Sequence, residues 1–106
     1  YGKKASLDKT PEFPGGHAAF MKLIIGNFNT SRLARQNIAK ARAIAVFDID
    51  KEGNMIDLRM ESYDNEAVKT EFLNALNKIK TKWVPGEQNG EKVKMRMRQP
   101  LQFNLD

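Results

Sequence analysis

Val93-Lys94-Met95-Arg96-Met97-Arg98-Gln99-Pro100-Leu101-Gln102-Phe103-Asn104-Leu105 is the stretch on which the fold turns. Its odd positions run Val, Met, Met, Gln, Leu, Phe, Leu. Its even positions before Pro100 are Lys94, Arg96 and Arg98. A strict period of two belongs to a strand with one buried and one wet face. Asn89-Gly90 just upstream is a turn dipeptide that can open such a strand. Pro100 has no N–H, which places the strand at a sheet edge or bends it there. The chain therefore closes on a long basic strand, and an unpaired edge invites a strand from another chain.

Working outward, the pattern N-terminal to this strand is helical. Val68, Phe72, Ala75, Leu76, Ile79 and Trp83 form one stripe, predicting a helix from residue 66 to about 82 with Asp64 or Asn65 as its cap. Glu66 sits in its first turn, and Pro85-Gly86 is expected to stop it. Before it come two strands. Residues 43–49 place Ala43, Ala45, Phe47 and Ile49 on one face, and Ile44 and Val46 make the other face apolar, as in a central strand. Residues 55–61 alternate Ile56, Leu58 and Met60 with Asp57, Arg59 and Glu61. Asp50-Lys51-Glu52-Gly53-Asn54 is the hairpin loop between them. A first helix is expected over 17–27, with Phe20, Leu23, Ile24 and Phe28 facing inward. A short helix or irregular turn follows within 31–41. Phe13 is expected against the core, behind a turn at Pro14-Gly15-Gly16. Residues 1–10 read as a polar lead-in or linker and 11–106 as one domain.

The order helix, strand, hairpin, strand, helix, strand gives a two-layer α+β sandwich. Its sheet has three antiparallel strands in the order two, one, three, with two helices on one face.

The 106 residues suffice for one modest core. Hydrophobic content of 41% and charged content of 29% fit a folded chain. Net charge is +5, too small to imply nucleic acid, and residues 91–98 hold four of the 18 cations. Stacking aromatics on adjacent strands, which an RNA-binding sheet needs, are not in evidence, since Phe47 and Phe103 fall on the apolar face. There is no Cys, which removes disulfides and thiolate metal sites. His17, the single histidine, reads as an exposed residue of a first helical turn, because a metal site needs further ligands. Asp48, Asp50, Glu52 and Gly53 hint at a calcium loop, but Arg59 stands where its bidentate Glu belongs. No nucleophile–base pair or phosphate loop appears, so no enzymatic activity and no cofactor are expected. Asp48 and Asp50, close to a solvated turn, are expected to titrate normally.

Several stretches together resemble the C-terminal domain of TonB, in the form common in Bacteroides-type systems. They are Pro11-Glu12-Phe13-Pro14-Gly15-Gly16 with Met21-Lys22, then Phe47-Asp48-Ile49-Asp50-Lys51-Glu52-Gly53-Asn54-Met55-Ile56-Asp57. The third is Trp83-Val84-Pro85-Gly86-Glu87-Gln88-Asn89-Gly90-Glu91-Lys92-Val93, followed by Pro100-Leu101-Gln102-Phe103-Asn104-Leu105. The resemblance runs from Pro11 to Leu105. Pro14, Gly15, Gly16, Trp83, Pro85, Gly86, Asn89 and Gly90 are its structural signature. Two places depart from the pattern: Asn29-Thr30 stands near the family's Tyr-Pro pair, and Ala41 replaces a Gly before the first strand.

The resemblance implies the periplasmic end of an inner-membrane energy transducer. Such a domain works with a proton-driven motor complex through a region upstream, and grips the Ton box of outer-membrane transporters by adding it as a strand. Carried onto this chain, the docking edge is Lys92, Val93, Lys94, Met95, Arg96, Met97, Arg98 and Gln99. An accessory protein-binding module of a membrane sensor, a peptidase or a small exported protein is the alternative, and an edge-paired homodimer is compatible with either.

Overall fold

A computed structural model describes residues 8–104. The elements are α1 (His17–Asn27), α2 (Ser31–Arg35), β1 (Lys40–Ile49), β2 (Met55–Tyr63), α3 (Glu66–Asn77), β3 (Gly86–Gln88), β4 (Glu91–Val93) and β5 (Met95–Asn104). The main sheet is antiparallel with the order β2-β1-β5, and the helices lie on one of its faces. The expected two-layer α+β architecture is what the chain adopts.

Faces follow the period of two. Ala41, Ala43, Ala45, Phe47 and Ile49 of β1 pair with Phe103, Leu101, Gln99, Met97 and Met95 of β5. Paired residues share a face, so the odd positions of both strands look toward the helices. The small alanines of β1 let the helical layer approach, and Phe20, Ile24, Leu33, Val68, Phe72 and Leu76 fill the space above them. Phe13, Phe20, Phe47 and Trp83 form an aromatic cluster, with Phe20 and Trp83 ring centroids 4.8 Å apart and edge to face.

α3 begins where the sequence predicts: Asn65 Oδ1 accepts the Val68 N–H at 2.9 Å. It ends earlier than the apolar stripe suggests, at Asn77 rather than near residue 82. Ile79 and Trp83 are still buried, but from non-helical chain. The cause is tertiary. The Trp83 N–H donates to the Gly53 carbonyl at 2.9 Å, which pulls the chain onto the β1–β2 loop and drops the indole into the aromatic cluster.

β2 also departs from simple alternation. Its pairing with β1 slips twice, and Asp57 has φ 54°. These are bulges, which change the face a side chain occupies. Met55, Leu58 and Met60 pack on the core, whereas Ile56 lies opposite Asp48 on the other face. In α1, Phe20 and Ile24 are buried and Phe28 packs against the core, but Leu23 is 38% exposed and does not join them.

The chain ahead of α1 is tied down. Lys9 and Glu87 exchange two backbone hydrogen bonds, at 2.9 and 3.0 Å, and Glu12 and Val84 exchange two more, at 3.0 and 2.8 Å. Lys9, within the stretch read as a lead-in, is thus hydrogen-bonded to β3; residues 1–7 of that stretch lie outside the described residues.

Among the described residues, two carboxylates have depressed pKa values. Asp50 is held below 3.8, chiefly by the N–H of Asn54, with the side chain of Asn54 and the N–H of Glu52 adding to it. Glu61 is held below 4.5 by hydrogen bonds from Arg98 and by its charge. Asp50 thus departs from the ordinary titration its loop position suggested. Both groups bind their proton less readily folded than unfolded. Their contribution to stability is present above their unfolded pKa values and is lost as pH falls through the folded ones. The urea midpoint should therefore drop as pH falls below about 4.5, and Asp50→Asn should flatten part of that slope. An unchanged slope in the variant would remove Asp50 from the account.

Candidate functional site

The edge expected from the sequence, residues 92–99, resolves into two pieces. Asn89 and Gly90, with φ 52° and 83°, make a two-residue turn joining β3 to β4, as the dipeptide predicts. β3 and β4 form their own small hairpin, paired Gly86–Val93, Glu87–Lys92 and Gln88–Glu91. Lys92 and Val93 therefore belong to this hairpin and not to the long strand. Lys94 is the link, and the main-sheet strand starts at Met95. Of the residues that the sequence assigns to the edge, Met95, Arg96, Met97, Arg98 and Gln99 lie in β5 and Lys92, Val93 and Lys94 do not, and β5 itself continues to Asn104.

Pro14, Gly15 and Gly16 form the turn into α1, closed by the Gly16 N–H donating to Phe13 O at 2.8 Å. Trp83 anchors the aromatic cluster, though its Nε1 finds no acceptor among the described residues. Pro85 precedes β3, and buried Gly86 lies against the Met95 side chain. These positions shape the domain; the edge is made by β5.

Among the described residues β5 has one strand partner, β1. Which of its backbone groups point outward follows from β1. The Asp64 N–H donates to Arg42 O at 3.0 Å, and the Arg42 N–H donates to Asp64 Oδ2 at 2.7 Å. Arg42 thus aims its peptide groups away from β5, and so do the alternate residues Ile44, Val46 and Asp48. The unbroken β1–β5 register then makes the odd residues of β5 the ones bonded to β1. Arg96, Arg98, Gln102 and Asn104 turn their N–H groups outward. Pro100, opposite Ile44, occupies one of these outward positions, where its missing N–H costs the sheet nothing. Its carbonyl accepts from Gln99 Nε2 at 2.6 Å.

The edge read from the sequence covered both parities and stopped at Gln99, so it did not include the outward positions Gln102 and Asn104. The signal was present: a proline inside a paired strand must sit at an outward position, and even spacing from Pro100 picks out the rest.

No protein-family model matches this chain, and no curated protein matches it.

The side chains along the edge divide by face. On the helix-free face, Arg98 is clamped by Glu61, with Nε–Oε1 at 3.0 Å and Nη2–Oε2 at 2.8 Å. Arg96 reaches Asp48 only at 3.5 Å, and its side chain is 68% exposed. These arginines cover Val46 and Asp48, both buried without any helix above them. On the helix face, Met97 and Gln99 floor a cleft of about 300 Å³ walled by Pro11, Phe13 and Trp83. Farther along, Leu101 and Phe103 floor another of about 310 Å³ walled by Ile24, Ile25 and Phe28. Among the described residues no cluster of His, Cys, Asp or Glu could hold a metal, and no helix is long and apolar enough to cross a membrane.

Proposed function

We propose that this domain is a TonB-type binding module that takes up the Ton box of an outer-membrane transporter as an added strand on β5. In that role it passes on work from an inner-membrane motor complex and performs no catalysis. The observation that carries the reading is the outer edge of β5, where outward N–H groups at Arg96, Arg98, Gln102 and Asn104 have no strand partner among the described residues. The motif set around Trp83, Pro85-Gly86, Asn89-Gly90 and Pro100 supports the choice of partner.

The energetics suit a transient grip. A five-residue segment gains four to six hydrogen bonds, each about 0.5–1.5 kcal/mol net. Ordering it costs roughly 1–2 kcal/mol per residue. The terms nearly cancel, so side-chain contacts must supply the surplus. Pro100 removes one bond from the middle of the ladder, which makes those contacts matter more.

Amide hydrogen exchange tests the edge directly. In the free domain the N–H groups of Met97 and Gln99 should exchange slowly, and those of Arg96, Arg98 and Gln102 quickly. Adding a Ton box peptide should slow the second set and leave the first unchanged. Slowing confined to other parts of the chain would reject docking at β5.

A further inference from the structure

A strand laid along β5 would present its two faces to different chemistry. On the helix side it meets two apolar clefts, one over Met97 beside Phe13 and Trp83, the other over Leu101 and Phe103 beside Ile25 and Phe28. Met97 and Leu101 are four residues apart, about 13 Å along a strand. An even separation keeps both side chains of the incoming segment on the same face. A spacing of two would leave one of them over the Gln99 amide, and a spacing of three would send one to the opposite face.

That opposite face is cationic. Arg98 already has its carboxylate in Glu61. Arg96 is held only at 3.5 Å by Asp48 and stands mostly in solvent, and exposed Lys94 is close in sequence. A carboxylate arriving beside Arg96 would add a cross-strand ion pair, whereas a cation there would be repelled.

The geometry points to a partner segment of defined pattern: two apolar residues four apart, with an acidic residue next to the one that enters the Met97 cleft. This rests on the strand-addition reading and gives it a specificity. The apolar spacing reads the same for either strand direction, whereas the acid lies on the side of its apolar neighbour away from the other one, N-terminal to it in a parallel strand and C-terminal in an antiparallel one. A second copy of β5 fits poorly, since it brings Arg96 and Arg98 to a margin that is already cationic.

The test uses fluorescently labelled ten-residue peptides and the intact domain. Two reference peptides carry Val and Leu four positions apart with Glu on the outer side of Val, one in the order Glu-Val-x-x-x-Leu and one in the order Leu-x-x-x-Val-Glu, and the direction that binds more tightly is carried through the controls. One control replaces Glu by Lys; another moves Leu to a spacing of three. Each control is expected to bind about ten-fold more weakly than the reference. Arg96→Gln should abolish the difference between the Glu and Lys peptides while keeping the difference between the two spacings. Arg96→Lys should keep both differences, which separates charge from folding. The preference for Glu should also shrink as salt rises. Lys and Glu peptides binding within two-fold of each other, or the two spacings doing so, would overturn the pattern while leaving strand addition in place. Binding by none of the peptides, or sedimentation showing a dimer that excludes them, would overturn strand addition as well.

Discussion

Gly53→Ala is expected to destabilise the domain by about 3 kcal/mol or more, a large share of the stability of a chain this size. Gly53 closes the β1–β2 loop with φ 87°, a region that costs an L-residue roughly 1–2 kcal/mol. A Cβ there would also lie 2.1 Å from the Trp83 carbonyl oxygen and 3.3 Å from the Trp83 nitrogen. The neighbour is backbone and cannot rotate aside. Relief requires breaking the hydrogen bond from the Trp83 N–H to the Gly53 carbonyl and withdrawing the indole from Phe13, Phe20 and Phe47. Gly90→Ala is the control, because φ is 83° there but no atom lies within 4 Å of the added carbon. It should cost only the conformational part. Urea denaturation of both variants separates the two contributions, and equal losses would mean that the Trp83 contact can yield.

Proline scanning along β5 should split the strand by parity. Met97→Pro removes an N–H bonded to Phe47 in the middle of the sheet and is expected to cost about 3 kcal/mol or more, enough to unfold a marginal domain. Arg96→Pro removes an N–H that faces outward, so the domain should stay folded and lose peptide binding. Arg96→Ala keeps the amide and controls for the lost side chain. Circular dichroism reports the fold and fluorescence anisotropy the binding. The two-residue repeat of hydrogen-bond direction makes neighbouring positions behave oppositely, and similar outcomes at residues 96 and 97 would contradict the assigned direction. Proline at Met97 is therefore no test of docking, even though Met97 lies inside the edge that the sequence suggests.

That contrast marks the limit of what could be read from the residues. The two apolar faces of β1 and the buried and wet faces of β5 were legible because side chains alternate with a period of two and apolar residues report which face is covered. The Asn89-Gly90 turn, a helix cap at residue 64 or 65 and the antiparallel order were legible because each rests on local chemistry or chain connectivity. The bulges of β2 were not, since an extra residue shows itself only against a partner strand. Nor was the end of α3, because Ile79 and Trp83 keep helical spacing after the helix has stopped.

The sequence by itself determined which face of β5 is apolar, that β1 is apolar on both faces, where the chain turns, and that the last strand would lie at a margin of the sheet. Only the tertiary structure decided that β4 breaks away at Lys94, that α3 gives way at Asn77 so that Trp83 can reach its cluster, and which amides of β5 look outward. The physical reason is the same throughout. Side-chain polarity records the environment of a face, whereas backbone hydrogen-bond direction and the ends of elements depend on which neighbour the chain meets.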